Sequence, residues 1–333
     1  MKQSSMTAGV NSFRYIYMLL VCALLSVSCI AQEDVLFTNK QMRMPYYNPA
    51  YIPELLEATI TVGGRNQWTG IEGAPKTIMV SGKYFFVGAH SQVSLSYMAD
   101  KIGYQYTLQP KLQYAFMVPF ADDCYLNLGV GGGFVKRGYH PEMIDPVNTI
   151  NDATIEDKLI ESRQPDAEAG FELLIQNFEL GASVNHLIKG NSERPMTKFY
   201  SAYANYLFQT KEWWRLTASY SLYNYHEMNY GQRWKHQLSV YFQYLWDYEA
   251  KPKDLVYLGL AFRPTLEGSI MGGINLFSFL NVFYSYDCFF GNLRYTSKGT
   301  HEIGLEFKIP HKFKGCYANY GKSHKYTRYT RIK

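Results

Sequence analysis

Eight histidines, five cysteines and a run of three glycines are the residues of this chain best suited to chemistry, and none is spaced for it. A helical metal site wants His at i and i+4, or His beside Cys. His90, His140, His186, His226, His236, His301, His311 and His324 provide neither. Asn185 followed by His186 is the nearest approach to the Ser–His–Asn grouping of barrel phospholipases. Alternation puts His186 on the face that carries Phe178 and Leu180, which reads as an interface histidine at a strand end. Gly131, Gly132 and Gly133 follow a strand, as a phosphate loop would, but no Gly-Lys-Ser/Thr comes after them. Glycine in a strand more often lets neighbouring side chains pack, or allows a bend. Cys124, Cys288 and Cys316 lie beyond the leader, at spacings that make neither a metal site nor a disulfide framework. The expected catalytic residues, metal ligands and cofactors are therefore none.

The more specific stretch is polar and aromatic. Asn48, Pro49 and Tyr51 belong to a tight turn, in which Asn bonds its own backbone and Pro presets φ. Arg65, Asn66, Gln67 and Trp68 follow at the end of a short alternating run. Arg and Trp are common anchors at protein interfaces, so these seven residues are the candidate partner-binding set. The competing reading is local. Asn48 shapes a turn, Arg65 pairs with a lumen carboxylate such as Glu72, and Trp68 joins an aromatic belt.

The elements that would position these residues are strands. Phe178, Leu180, Ala182 and Val184 interleave with Glu179, Gly181, Ser183 and Asn185. Trp214, Leu216, Ala218, Tyr220 and Leu222 interleave with Arg215, Thr217, Ser219, Ser221 and Tyr223. Leu238, Val240, Phe242 and Tyr244 behave likewise, as do Ile303, Leu305, Phe307 and Ile309. Period-two patterns of this kind are half-buried strands. About fourteen occur between residues 57 and 309, an even number, as a single-chain bacterial barrel requires. The gaps after even strands are mostly brief, whereas residues 138–165, 188–197, 224–235 and 289–299 make longer ones after odd strands. Short periplasmic turns and long outer loops would place both termini in the periplasm and residues 138–165 outside. Tyr114, Phe116, Tyr220, Tyr223, Trp246, Tyr284 and Tyr286 suit the two membrane interfaces.

Composition agrees. The chain is 17% aromatic but only 18% charged, with 30 Tyr, and has no long apolar run after the leader. Lys2 and Arg14 precede an apolar stretch that ends at Ala31, so residues 1–31 read as a signal peptide. A lipid anchor at Cys29 would want Leu where Ser26 stands. Residues 32–56 then form an N-terminal periplasmic or plug segment, and residues 57–309 a transmembrane antiparallel β-barrel. Residues 310–333 form a basic tail. No Asp or Glu follows Glu306, while eight Lys or Arg do. The tail is short and exported, which argues against nucleic acid. The lipid bilayer is the expected surroundings of the barrel.

Four strings, "YNPAYIP", "GGRNQWTGIEGAPKT", "VFYSYD" and "GTHEIGLEF", appear in this order and resemble the PorP/SprF family of Bacteroidota outer-membrane proteins. The chain departs from the family in Ile52 and Pro53 after the turn and in its longer basic tail. The resemblance implies a part in type IX secretion: helping to secrete, or to anchor at the cell surface, a protein with a C-terminal sorting domain. In some members it also implies gliding motility and a periplasmic peptidoglycan-binding partner. The alternative is a channel for small or hydrophobic solutes, similar to the fourteen-strand fatty-acid transporters. Inward-facing Glu179, Arg215, Gln237, Gln243, Glu302 and Glu306 would suit a polar filling or a wet channel.

Overall fold

The computed structural model describes residues 35–53, 57–121, 124–139, 161–190, 196–211, 214–227, 231–247, 252–276 and 279–310. Among the described residues one short helix, α1 (Lys40–Tyr47), precedes the strands β1 (Glu57–Asn66), β2 (Lys76–Phe86), β3 (Ser91–Ile102), β4 (Gln105–Ala121) and β5 (Cys124–Tyr139). Then come β6 (Glu161–Ile175), β7 (Phe178–Asn185), β8 (Phe199–Lys211), β9 (Trp214–Glu227) and β10 (Gly231–Asp247). The sheet finishes with β11 (Pro252–Arg263), β12 (Glu267–Leu276), β13 (Leu280–Phe289) and β14 (Thr300–Pro310). Every neighbouring pair is antiparallel, and β1 pairs with both β2 and β14, so the sheet closes. Closure leaves no strand edge, which is what lets a sheet sit in lipid.

The alternation resolves into an outside and an inside. Leu95, Leu260 and Ile303 point outward and are more than 60% exposed. Phe178 and Leu180 of β7 are exposed beside half-buried Ala182 and Val184, while Gly181, Ser183 and Asn185 turn inward. An apolar outer face is stable against hydrocarbon and would be a liability in water. No helix among the described residues is long and apolar enough to cross a membrane.

The connections after even strands are residues 87–90, 122–123, 176–177, 212–213, 248–251 and 277–279. Those after odd strands include the longer segments 67–75, 140–160, 186–198 and 290–299, together with the tight links 103–104, 228–230 and 264–266. The barrel therefore has a short-turn rim and a long-loop rim, and β1 begins and β14 ends at the former.

Several boundaries differ from the expectation. The ladder of β9 and β10 continues to Glu227 opposite Gly231, so the long gap expected over residues 224–235 is mostly strand. Backbone pairing needs no apolar side chain, and so it outlasts the pattern that reveals it. β6 starts at Glu161 and runs through Pro165, which reads as a strand breaker. Leu187 N–H donates to Ala167 O at 2.9 Å, so the odd residues of β6 turn their backbone groups toward β7. β7 pairs with β6 only as far as Ala169, so Pro165 has no ladder bond there to lose. Of the expected interface aromatics, Tyr114, Phe116, Tyr220 and Tyr284 are exposed outside, and Tyr286 is half-buried there. Tyr223 instead faces the lumen and is buried, and the side chain of Trp246 lies outside the described residues.

Candidate functional site

The lumen is occupied by the chain's own residues 35–53. Phe37, Met42 and Ile52 are fully buried there. Each such side chain removed from water contributes about 1.5–3 kcal/mol. Phe37, Met42, Tyr46 and Tyr47 pack against inward-facing Met79, Met98, Phe199, Tyr223, Tyr257 and Phe283. Near the short-turn rim Ile52 meets Phe85, Met117, Tyr125 and Leu174. The lumen wall is thus not uniformly polar, as the alternation suggested. The missed signal is a Met or Phe on an otherwise polar face, such as Met79 between Thr77 and Ser81.

α1 begins with Asn39 as its N-cap, whose side chain accepts from Gln41 N–H at 3.2 Å. The backbone N–H groups of Thr38 and Asn39 donate to the two oxygens of Glu302, each at 2.8 Å. A carboxylate at a helix start satisfies orphan donors and complements the helix dipole. Glu302 is wholly buried, and it also accepts from Ser285 Oγ at 3.0 Å and forms an ion pair with Arg65. Arg65 Nη1 lies 3.2 Å from Asp287 Oδ2, and Thr38 Oγ1 donates to the same oxygen at 2.9 Å. Arg263 completes the cluster, donating to Thr38 Oγ1 at 2.7 Å and pairing with Glu267 at 3.0 Å. Glu72, the carboxylate expected to pair with Arg65, is exposed in the β1–β2 connection. The partners actually used arrive by barrel closure, since the β1–β14 register sets Arg65 opposite Glu302.

The other end of the plug is held by its turn. Asn48 Oδ1 accepts from Ala50 N–H at 3.0 Å, the side-chain turn expected of Asn-Pro. Asn48 Nδ2 donates to Phe171 O at 3.0 Å. Tyr47 O accepts from Ser183 Oγ at 2.6 Å and from Asn185 Nδ2 at 3.0 Å. Tyr51 O accepts from Lys83 Nζ and Gln92 Nε2, both at 3.1 Å. Glycines make the room. A Cβ on Gly129 would stand 2.2 Å from Ala50 N, and one on Gly170 2.3 Å from Asn48 Oδ1. The turn thus lies directly on a floor of bare backbone in β5 and β6.

The seven candidate residues therefore divide. Asn48, Pro49, Tyr51, Arg65 and Gln67 are buried inside the barrel. Asn66 and Trp68 are half-buried at the long-loop rim, where Trp68 takes φ 50° and its N–H donates to Thr300 Oγ1 at 3.2 Å. Asp287 and Arg263 belong with Arg65 and Glu302 but were not singled out, because nothing local marks them. His186, expected on the outer face, is buried with Nδ1 2.9 Å from inward-facing Asp166. β7 ends at Asn185, and the φ of 59° at His186 turns its ring inside.

A closed sheet with an apolar exterior and a packed interior defines a β-barrel membrane protein of the outer-membrane type. Residues 29–307 match the family described as type IX secretion system membrane protein PorP/SprF, and the chain belongs to that family. All four strings that carry the resemblance contribute to the plug's seat: Asn48 and Tyr51 on the wall, and Arg65, Asp287 and Glu302 around Thr38. No curated protein matches the sequence. Among solved structures the chain is similar to the CymD monoaromatic hydrocarbon channel, at 12% identity and TM-score 0.46, covering 80% of this chain and 92% of that one. It is similar to Omp33 of Acinetobacter baumannii, at 11% identity and TM-score 0.42, covering 77% and 99%. The Pseudomonas putida toluene transporter TodX is similar at 8% identity and TM-score 0.43, covering 76% and 88%.

Proposed function

We propose that this barrel is a plugged outer-membrane component of the type IX secretion system that helps secrete, or hold at the cell surface, a protein with a C-terminal sorting domain. The observation that carries this reading is the filled lumen. Residues 35–53 are bonded to the wall at both ends, which suits a scaffold better than an open solute pore. The short-turn rim then faces the periplasm, with the barrel's entry and exit on that side. The long loops face outward and meet the secreted partner, with Asn66 and Trp68 as contact positions. Asn48, Pro49, Tyr51, Arg65 and Gln67 act on that partner through the plug they hold. The basic tail, residues 310–333, reaches a periplasmic partner bound to peptidoglycan, and gliding motility follows where that partner belongs to the motor.

The test measures two properties in the same cells and the same purified protein. Conductance in planar bilayers should be absent for the intact barrel and appear when residues 35–53 are deleted. Surface retention of secreted proteins with sorting domains should fall in an N66A/W68A variant whose barrel level is unchanged. A freely conducting intact barrel, with normal retention in the variant, would support the solute-channel alternative instead.

A further inference from the structure

We propose that the outer wall of the barrel binds the phosphate of a lipopolysaccharide anchor along a row of cations on β2 to β6. Lys76, Lys101, Lys136 and Arg163 all point outward, and each lies within three residues of the long-loop end of its strand. The register sets them side by side. Lys76 stands directly opposite Lys101, Lys101 opposite Tyr106, and Lys136 opposite Arg163. Leu108, two residues along β4 from Tyr106, stands opposite Lys136 and joins the two pairs. Among the described strand side chains, the rest of the outer wall carries no Lys or Arg. Like charges directly opposite on neighbouring strands repel, and an anion seated between them relieves that cost. Acids nearby are fewer than the cations. Glu161 is shared by Lys136 Nζ at 3.0 Å and Tyr106 OH at 3.3 Å, and Glu72 is exposed in the β1–β2 connection.

Position identifies the ligand. Next to the row, on the same faces of the same strands, the wall turns apolar. Ile78 follows Lys76 on β2 and is 59% exposed, and Tyr97 and Leu95 precede Lys101 on β3, with Leu95 63% exposed. Two residues of strand span about 7 Å, so the cations stand at the edge of the hydrocarbon-facing band. A lysine there lays its stem along the wall and carries its charge to the headgroup layer. Arg163 lies over the ring of Phe134 at 3.7 Å, which holds the guanidinium against the wall. A soluble anion would meet the charges and leave the wall uncovered. An anionic lipid covers both, with acyl chains on Ile78 and Leu95 and a phosphate between Lys76 and Lys101. The choice of lipid rests on the orientation proposed above, in which the long-loop rim lies outside. There the leaflet is built of lipopolysaccharide, whose lipid anchor bears its phosphate where sugar meets acyl chain.

The experiment uses the full mature barrel in detergent and reads bound lipid by native mass spectrometry. The probes are phosphorylated lipid A, lipid A stripped of its phosphate, and phosphatidylglycerol. Phosphorylated lipid A should bind the native barrel best. The variant K76Q/K101Q should bind it about tenfold more weakly, the worth of one hydrogen bond between charged groups. Lys198→Gln, an exposed cation outside the row, should leave the affinity unchanged. Should K76Q/K101Q fail to form its barrel, the comparison of the two forms of lipid A on the native protein still decides. Equal binding of the stripped lipid overturns the proposal, and so does phosphatidylglycerol that binds as tightly as lipid A. Lipid A that binds only after residues 141–159 are deleted also overturns it, since the acids of that segment then hold the row. Binding in detergent is independent of how the barrel sits in the membrane. An inverted barrel is detected by labelling intact cells, so that failure is distinguishable from the failure of this site.

Discussion

Replacing Glu302 by Gln keeps the shape of the side chain and removes its charge, which makes it the sharpest probe of the plug's seat. In the native barrel the two carboxylate oxygens receive donors only: Thr38 N–H, Asn39 N–H, Ser285 Oγ and Arg65. An amide group turns one of those oxygens into a donor, so at least one backbone N–H or the guanidinium faces another donor in a buried space. Breaking one side of a buried ion pair costs about 3–5 kcal/mol, and Asp287 at 3.2 Å still holds Arg65, so the lower end applies. About 3 kcal/mol shifts the balance of docked and undocked plug by roughly a hundredfold. The barrel itself should be intact, because the β13–β14 and β1–β14 ladders are backbone bonds. The assay is protease accessibility of residues 35–53 beside bilayer conductance, with heat-modifiable gel mobility as the measure of the barrel. Both plug readouts should rise while mobility is unchanged. The double variant E302Q/R65M should recover part of the loss, since it leaves no unpaired guanidinium. A plug as protected and as non-conducting in E302Q as in the native protein refutes the idea that this carboxylate seats it.

Gly129→Ala should release the turn of the plug, because its Cβ would overlap Ala50, whereas Gly82→Ala, with open space around it, should be neutral; cysteine labelling within residues 48–52 reads the difference. Cysteines introduced at residues 145 and 249 of a cysteine-free variant should react in intact cells at the first position only; the reverse result inverts the orientation proposed above. Deleting residues 315–333 should reduce co-purification of periplasmic proteins at low salt more than at high salt, as expected for steering by a basic patch; an unchanged set of proteins leaves the tail without a docking role. Residues 145, 249 and 315–333 lie outside the described residues.

The fourteen strands and their outward faces were legible because a strand in lipid repeats every two residues and each repeat is local. Phe178, Leu180 and Ile303 announce the lipid side without knowledge of any other strand. The turn at Asn48 was equally local, a matter of one amide side chain and one ring. What the turn rests on was not legible. Gly129 and Gly170 looked like ordinary strand glycines, and only the closed barrel brings Ala50 and Asn48 onto them. α1 left no periodic trace, being one short helix with Pro45 inside it. Arg65 could be read as needing a carboxylate, but the nearest in sequence, Glu72, was the wrong one. Its partners lie 222 and 237 residues away, and they arrive because β14 closes against β1 and β13 pairs with β14. Local pattern decides which face of a strand meets lipid. Which buried charges meet each other is decided by the register of strands that are distant in sequence, and one residue of slip would turn every one of them to the opposite face.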